Sequence, residues 1–248
     1  MRQRSPHDDL VRKIDLLQNV MLFSELQDTD LASLVQDFRF KSYGKNEVIF
    51  HQGDLGRELY VILNGRVRIF KLSPSGDETT LIIFSNYDIF GEFAVIDSGP
   101  RSATARAIVP TDLLAMSQDR FDFHMGENPD LAKGMTRLLT DKLRWTANYA
   151  AAVAQYDAAA RLLHILLLYN ERFGLELEVG KRYELDLSLT QGELASLVGT
   201  RREWVNRLLH DWNKRGLIEF ESGKIVILDL PGVVSERDRR IQANSSVW

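Results

Sequence analysis

The sequence predicts an α+β chain in three successive parts: an N-terminal β-roll of jelly-roll type, a long helix, and a C-terminal winged helix-turn-helix. Three observations carry that expectation. Short β-like runs recur at even spacing between about Lys41 and Ser117, apolar residues then recur at heptad steps after Pro129, and a capped helix, a glycine corner and a cationic second helix follow from Thr190. With 248 residues, 44% of them hydrophobic, the chain can fill the cores of two modest domains.

Ahead of the strands, Asp8 to Val35 carries apolar residues mostly three or four apart and is expected to be helical. The strands are Glu47–Phe50, Leu59–Leu63, Val67–Leu72, Thr79–Phe84, Phe90–Val95, Ala103–Val109 and Leu113–Met116, punctuated by Gly44, Gly53, Gly65, Gly76 and Gly99. Strands of this length and spacing form an antiparallel sandwich or barrel, closed enough to hold a small ligand.

After Pro129, the residues Leu131, Met135, Leu138, Lys142, Trp145, Tyr149, Ala152 and Tyr156 alternate in steps of four and three, a heptad seam on a helix that runs to Tyr156. A second stripe, Leu139, Leu143, Thr146, Ala150 and Val153, lies beside it. Two apolar faces imply two neighbours, the chain's own domain and a second copy met as a parallel coiled coil. Lys142 and Thr146 suit a dry monomer core poorly, which favours the homodimer. From Asp157 a further domain opens with the helix Ala158 to Phe173, stopped by Gly174, and the strand Tyr183–Leu189; beyond Asp229 the tail is expected to be a short helix or a frayed end. The divisions are therefore 1–128, 129–156, 157–230 and a tail at 231–248.

The most informative segment runs from Thr190 to Leu209. Thr190 is a good N-cap, and Glu193 completes a capping box. Ala195 is small where two helices must cross, Gly199 permits the positive φ of a tight corner, and Val205 and Leu208 anchor the second helix. Arg202, Glu203 and Arg207 share one face near its start. Arginine donates two hydrogen bonds to guanine in the major groove, and glutamate accepts from cytosine N4. The bland alternative is a solvated face with a Glu203–Arg207 pair. Lys214 and Arg215 precede the strand pair Leu217–Phe220 and Lys224–Leu228, joined at Ser222–Gly223 as a wing, and would hold phosphate without reading sequence. The candidate DNA-binding set is Thr190, Arg201, Arg202, Glu203, Arg207 and Lys214, with double-stranded DNA as partner.

Composition removes several classes. Without cysteine there is no disulfide, thiolate metal site, iron–sulfur cluster or thiol nucleophile. His51, His124, His164 and His210 have no ligand-like spacing and are expected on the surface or hydrogen-bonded in a core. No nucleophile–base pair, metal cluster or P-loop is evident, so an enzyme is not expected. A net charge of −4 argues against a chain that coats nucleic acid everywhere, while leaving room for a local basic surface. No apolar run has membrane-spanning length, and Met1 to Leu10 is polar, so the expectation is a cytoplasmic protein with no membrane partner.

From about Leu22 to Leu228 the chain resembles the CRP/FNR family of transcription regulators. Two motifs carry the resemblance. Arg202-Glu203 with Arg207 is similar to the family's reader of TGTGA-like half-sites, and Phe90-Gly91-Glu92-Phe93-Ala94 followed by Pro100-Arg101-Ser102-Ala103-Thr104 resembles the phosphate-binding cassette of cyclic-nucleotide domains. The resemblance implies that 1–128 is an effector-sensing, cyclic-nucleotide-binding-like domain, that 129–156 is a dimerisation helix, and that RNA polymerase is a partner, met through exposed loops such as Glu176 to Arg182.

It also implies a ligand site at Gly91, Glu92, Phe93, Arg101, Ser102 and Thr146. The chemistry is coherent. Arg101 neutralises a phosphate, Ser102 donates through hydroxyl and backbone, Glu92 accepts from the ribose 2′-hydroxyl, and Gly91 lets the backbone approach. In the family's members that respond to cAMP a Thr-Ser pair on the dimer helix holds the base. Here the pair is Thr146-Ala147, with Asn148 beside it, so the implied ligand is cAMP or another cyclic nucleotide, with cGMP and a cyclic dinucleotide open. The other reading is a ligand-independent regulator whose roll is a dimer scaffold, with Glu92 and Arg101 ion-paired. The family's haem and iron–sulfur sensors use cysteine, so no haem, iron–sulfur cluster or metal is expected. Ligand binding beside Thr146 is expected to turn the DNA-binding domains about a hinge near Gln155–Asp157.

Overall fold

Alternation along short strands builds a roll of two four-stranded antiparallel sheets. The strands are β1 (Arg39–Tyr43), β2 (Val48–Phe50), β3 (Glu58–Asn64), β4 (Val67–Leu72), β5 (Glu78–Phe84), β6 (Ile89–Phe90), β7 (Thr104–Ala107) and β8 (Thr111–Ser117). One sheet has the order β1-β8-β3-β6 and the other β2-β7-β4-β5. Because successive side chains point to opposite faces, Tyr60 and Ile62 of β3 join Val67, Phe84, Phe90, Ala105 and Leu113 in the core between the sheets. Leu59 and Val61 face the other way and meet Leu131, Met135 and Leu138. The computed structural model describes residues 13–221 and 223–245. Met1–Leu10, the start of the helix expected from Asp8, Ser222 in the wing turn and the last three residues of the tail lie outside them.

The expected single helix from Asp8 to Val35 is, within the described residues, several pieces: α1 at residues 13–18, a 3₁₀ turn at Met21–Phe23 and α2 at Asp28–Asp37. The break buries Leu22 and Phe23 in the core, which a straight helix would not do. Strand β1 escaped the sequence reading because its residues are mostly exposed and charged or aromatic, with little apolar alternation. The strand expected at Phe90–Val95 is instead two residues of β6 followed by the short helix α3 (Glu92–Ile96). Gly91 makes the difference: its φ of 80° is a left-handed turn that ends the strand.

After β8 comes the helix α4 (Gln118–Glu127). The chain divides into two compact units between Arg144 and Trp145, and the helix α5 (Pro129–Gln155) runs through that division. Its heptad seam is used within the chain. Leu131, Met135 and Leu138 are buried in the first unit, while the Trp145 ring lies tilted against Tyr169 with centroids 5.6 Å apart and Ala152 is buried in the second. The second stripe is the one left open, with Leu143 69% and Val153 43% exposed and Thr146 and Ala150 also exposed.

The second unit continues with α6 (Ala158–Phe173), β9 (Leu175–Glu178), β10 (Arg182–Asp186), α7 (Gln191–Val198), α8 (Arg202–Lys214), β11 (Ile218–Glu221), β12 (Lys224–Ile227) and α9 (Leu230–Ser245). Its sheet has the order β11-β12-β10-β9. Asp157 caps α6 by accepting from the Ala160 amide at 2.6 Å. The tail is not a frayed end: α9 lies against α6, and its Glu236, 4% exposed, accepts from Arg215 at 2.7 Å, Arg239 at 2.8 Å and Arg240 at 2.7 Å.

Candidate functional site

The cassette residues Gly91 to Arg101 converge at one end of the roll, and Arg101 is their centre. The residue is 5% exposed. One Nη donates to the Gly91 carbonyl and the other to the Glu58 carbonyl, both at 2.8 Å. The group lies 4.1 Å from the centre of the Phe50 ring and 5.6 Å from that of Tyr60, a favourable placement for a cation on aromatic faces. Its Nε is buried without a hydrogen-bond partner. Burial lowers the pKa of Arg101, and the Tyr60, Glu58 and Glu92 groups restore part of the loss.

Around it the polar groups are ordered. Burial pushes the Glu58 carboxyl up, but hydrogen bonds from Lys41 at 2.7 Å and Tyr60 at 2.9 Å outweigh it and leave the group below its ordinary pKa. A Cβ on Gly91 would lie 2.7 Å from an Arg101 Nη, so the glycine serves both the turn and the cation's approach. Ser102 and Phe93 are exposed, the latter on α3.

Glu92 is 3% exposed, and its partner is not Arg101. Lys142 of α5 reaches it at 2.7 Å, donates to the Ile89 carbonyl at 2.8 Å and lies 4.8 Å from the centre of the Phe84 ring. The Glu92–Arg101 ion pair weighed from sequence is thus replaced by Glu92–Lys142. Sequence reading put Lys142 on the heptad seam by its spacing and took its poor fit to a dry monomer core as favouring a second copy; the structure gives it a buried carboxylate within the chain. Thr146 belongs to the second unit, exposed on α5. The residues present fit a cyclic nucleotide at the level of donor chemistry: a buried cation with an unpartnered N–H for an anion, and a buried carboxylate that accepts from a hydroxyl.

The helix-turn-helix follows its sequence signals closely. Thr190 and Glu193 form the reciprocal capping box, with Oγ1 accepting from the Glu193 amide at 3.2 Å and Oε2 accepting from the Thr190 amide at 2.8 Å. Gly199 has φ 68° and ψ 43°, and the Thr200 amide closes the corner on the Ala195 carbonyl at 3.0 Å. Val205, Leu209 and Trp212 are the buried anchors of α8, whereas Leu208, expected among them, is half-buried.

That burial turns the opposite face outward. Arg201 at the N-cap, Arg202, Glu203 and Arg207 are all exposed, and among the described residues the side chains of Arg202, Glu203 and Arg207 make no ion pair, so the Glu203–Arg207 pair is not formed. An open concavity at this end is lined by Gly199, Thr200, Arg201, Glu203, Trp204 and Arg207. Lys214 is exposed in the last turn of α8. Arg215, read beside it as a phosphate contact, is held by both Glu236 oxygens at 2.7 and 3.2 Å and by Asp211 at 3.2 Å.

The segment expected as a hinge is bridged within the second unit. Arg161 donates to the Val198 carbonyl at 2.8 Å, the Tyr156 carbonyl at 3.1 Å and the Val153 carbonyl at 3.4 Å. The Tyr149 hydroxyl donates to the Leu197 carbonyl at 3.0 Å. These acceptors belong to the last turns of α5 and α7 and the link after α5, where helices leave carbonyls unsatisfied. Neither Arg161 nor Glu236 announces itself in sequence, because both act on groups distant along the chain. His124 is the hydrogen-bonded core histidine anticipated, 2.8 Å from Asp37. Among the described residues no cluster suits a metal ion, and no helix is long and apolar enough to cross a membrane.

Comparison with known proteins matches residues 40–128 to the cyclic nucleotide-binding domain family and residues 160–234 to the Crp-like helix-turn-helix domain family. The CRP-like cAMP-activated global transcriptional regulator of Mycobacterium tuberculosis is 31% identical over 215 residues, spanning 87% of this chain and 95% of that protein. The cyclic AMP receptor protein of Thermus thermophilus is 31% identical over 206 residues, spanning 83% and 91%. Among solved structures, a CRP/FNR-family regulator of Thermus thermophilus shares 27% identity with a TM-score of 0.65, covering 82% of this chain and all of that one. CooA of Carboxydothermus hydrogenoformans shares the fold, with a TM-score of 0.70 at 24% identity over 91% of this chain and 99% of that one.

Proposed function

Because the chain belongs to the CRP/FNR family of transcription regulators, with a cyclic nucleotide-binding domain and a Crp-like helix-turn-helix, we propose that it is a homodimeric, sequence-specific DNA-binding regulator gated by a cyclic nucleotide, cAMP before others. The observation that carries the gating is Arg101: a buried cation that its own chain supplies with neutral carbonyls and aromatic faces, and whose Nε has no partner. A buried charge without a directly bonded counter-ion favours an anion, and a cyclic phosphate is that anion.

In this reading Arg101 and Ser102 take the phosphate, Glu92 the ribose hydroxyl and Thr146 the base, with Gly91 and Phe93 shaping the cassette. A hydroxyl that bonds Glu92 competes with Lys142 for the same carboxylate. Since Lys142 stands on α5, that competition links pocket chemistry to the helix. The stripe from Leu139 to Val153 joins two copies. Arg202, Glu203 and Arg207 read a TGTGA-like half-site, two reading helices falling roughly 34 Å apart on successive major grooves. Arg201, Thr190 and Lys214 hold phosphates, and RNA polymerase is met through loops such as 176–182.

Calorimetric titration of cAMP into the wild type and Arg101→Ala, with cGMP and cyclic dinucleotides in parallel, tests the ligand. Heat from wild type with cAMP and none from the variant is expected; no heat from wild type with cAMP overturns the cAMP assignment. Operator affinity is then measured with and without the nucleotide. Equal affinities would favour a ligand-independent regulator whose roll is a scaffold.

A further inference from the structure

Lys41 points inward from an edge strand. In β1 it lies opposite Leu113 of β8, and Tyr60 of β3 lies opposite Ala115, so Lys41, Tyr60 and Glu58 share the sheet face that lines the core of the roll. The ammonium reaches past β8 to Glu58 Oε2 at 2.7 Å and lies 5.5 Å from the centre of the Tyr60 ring. The Tyr60 hydroxyl donates to the same carboxylate oxygen at 2.9 Å. Lys41 and Glu58 stand outside the cassette, yet both bear on Arg101.

Glu58 meets Arg101 through its backbone and not through its carboxylate. Arg101 Nη2 donates to the Glu58 carbonyl at 2.8 Å, its Nε is buried without a partner, and its Cζ lies 5.6 Å from the centre of the Tyr60 ring. The Glu58 carboxylate, on that same residue, is an anion of the chain's own within a side chain's length of the cation. Burial lowers the Arg101 pKa and the Glu58 charge is among those that restore part of the loss, so the two groups already sense each other. One ammonium and one hydroxyl hold the carboxylate where it is. Without the ammonium it keeps a single neutral donor, and an unpartnered guanidinium N–H is the stronger one. Resting on the reading of Arg101 as the residue that takes the ligand's phosphate, we propose that Lys41 is a positioning residue for the ligand: by holding the Glu58 carboxylate, it keeps an internal anion off Arg101 and leaves that cation open to the nucleotide. An inward lysine on an edge strand also discourages edge-to-edge pairing, but that role makes no link between Glu58 and nucleotide affinity.

Calorimetric titration of cAMP, with cGMP in parallel, tests this on the full chain as wild type, Lys41→Met, Lys41→Arg, Glu58→Gln and the double variant of Lys41→Met with Glu58→Gln. Circular dichroism confirms each fold, and Lys41→Gln replaces Lys41→Met should the latter not fold. Lys41→Met is expected to weaken binding about tenfold or more, the effect of one charge-assisted hydrogen bond that must break before the phosphate enters, and Lys41→Arg to stay within about threefold of wild type. The double variant is expected to bind within about threefold of Glu58→Gln alone, because the competing carboxylate is gone. Wild-type affinity in Lys41→Met overturns the proposal. So does an equal loss from Lys41→Met whether position 58 holds glutamate or glutamine, which would mark the lysine as a source of positive potential or of fold alone. Either result leaves the reading of Arg101 standing so long as Arg101→Ala fails to bind. A wild type that binds neither nucleotide overturns that reading, and the proposal with it.

Discussion

Lys142 Nζ stands 2.7 Å from Glu92 Oε1 and 2.8 Å from the Ile89 carbonyl oxygen, so a single side chain of the long helix satisfies both the buried carboxylate and a backbone acceptor of the cassette. Removing the ammonium leaves Glu92 buried without its cation. Lys142→Met is expected to destabilise the first unit by about 3–5 kcal/mol, the usual effect of stranding one member of a buried pair, with Lys142→Arg far milder. Urea unfolding followed by circular dichroism measures this, and unchanged stability in Lys142→Met would contradict the pair's role.

Gly56 guards the other cationic contact. A Cβ there would fall 2.0 Å from Arg101 Nε and 2.3 Å from its Cζ. Gly56→Ala is expected to displace the guanidinium from the Phe50 ring and weaken nucleotide binding at least about tenfold, the equivalent of one charge-assisted hydrogen bond. Calorimetry on the variant checks it; wild-type affinity would show that Arg101 need not hold its observed position to bind.

Much of this was legible in the sequence, and unevenly so. Elements whose evidence is local came through: the capping box at Thr190, the corner at Gly199 and the wing strands rest on residues within a few positions of each other. The cassette residues were found by their likeness to a known motif. What escaped depended on distant partners. Gly91 turned an apolar run that reads as a strand into α3, and Lys142 read as an odd member of a seam because its carboxylate lies fifty residues away. The tail, read as a short helix or a frayed end, is the helix, and what anchors it was not legible: Glu236 binds three arginines, one of them 21 residues upstream.

Arg161 ties the end of α5 and the link beyond it to the last carbonyl of α7. Arg161→Ala is expected to cost about 1–3 kcal/mol locally, as several acceptors lose their donor, and to raise amide exchange around 153–157 and 198–201 together. Exchange measured by mass spectrometry that rises in only one of these segments would show that they are not joined through this side chain.

The Glu236 carboxyl is held at a pKa of about 2 against an ordinary 4.5, first by the hydrogen bonds from Arg215, against the upward push of burial, and further by Arg239 and Arg240. A folded-state pKa below the unfolded one gives stability that is complete above about pH 4.5 and is lost as pH falls toward 2, at most about 3 kcal/mol. Glu236→Gln is expected to be less stable at pH 7 and to lose less on acidification than wild type. Melting temperatures taken between pH 2 and 7 test this, and parallel curves for the two proteins would refute it.

The same carboxylate has a bearing on ionic strength. Arg215 follows directly on the helix proposed to carry the base readers, and free, it would add one more counter-charge to any duplex, whatever its sequence; paired with Glu236, it adds less. The C-terminal helix thereby holds one cation back from that surface, and Glu236→Gln would grip random DNA more tightly and let go more steeply as salt rises.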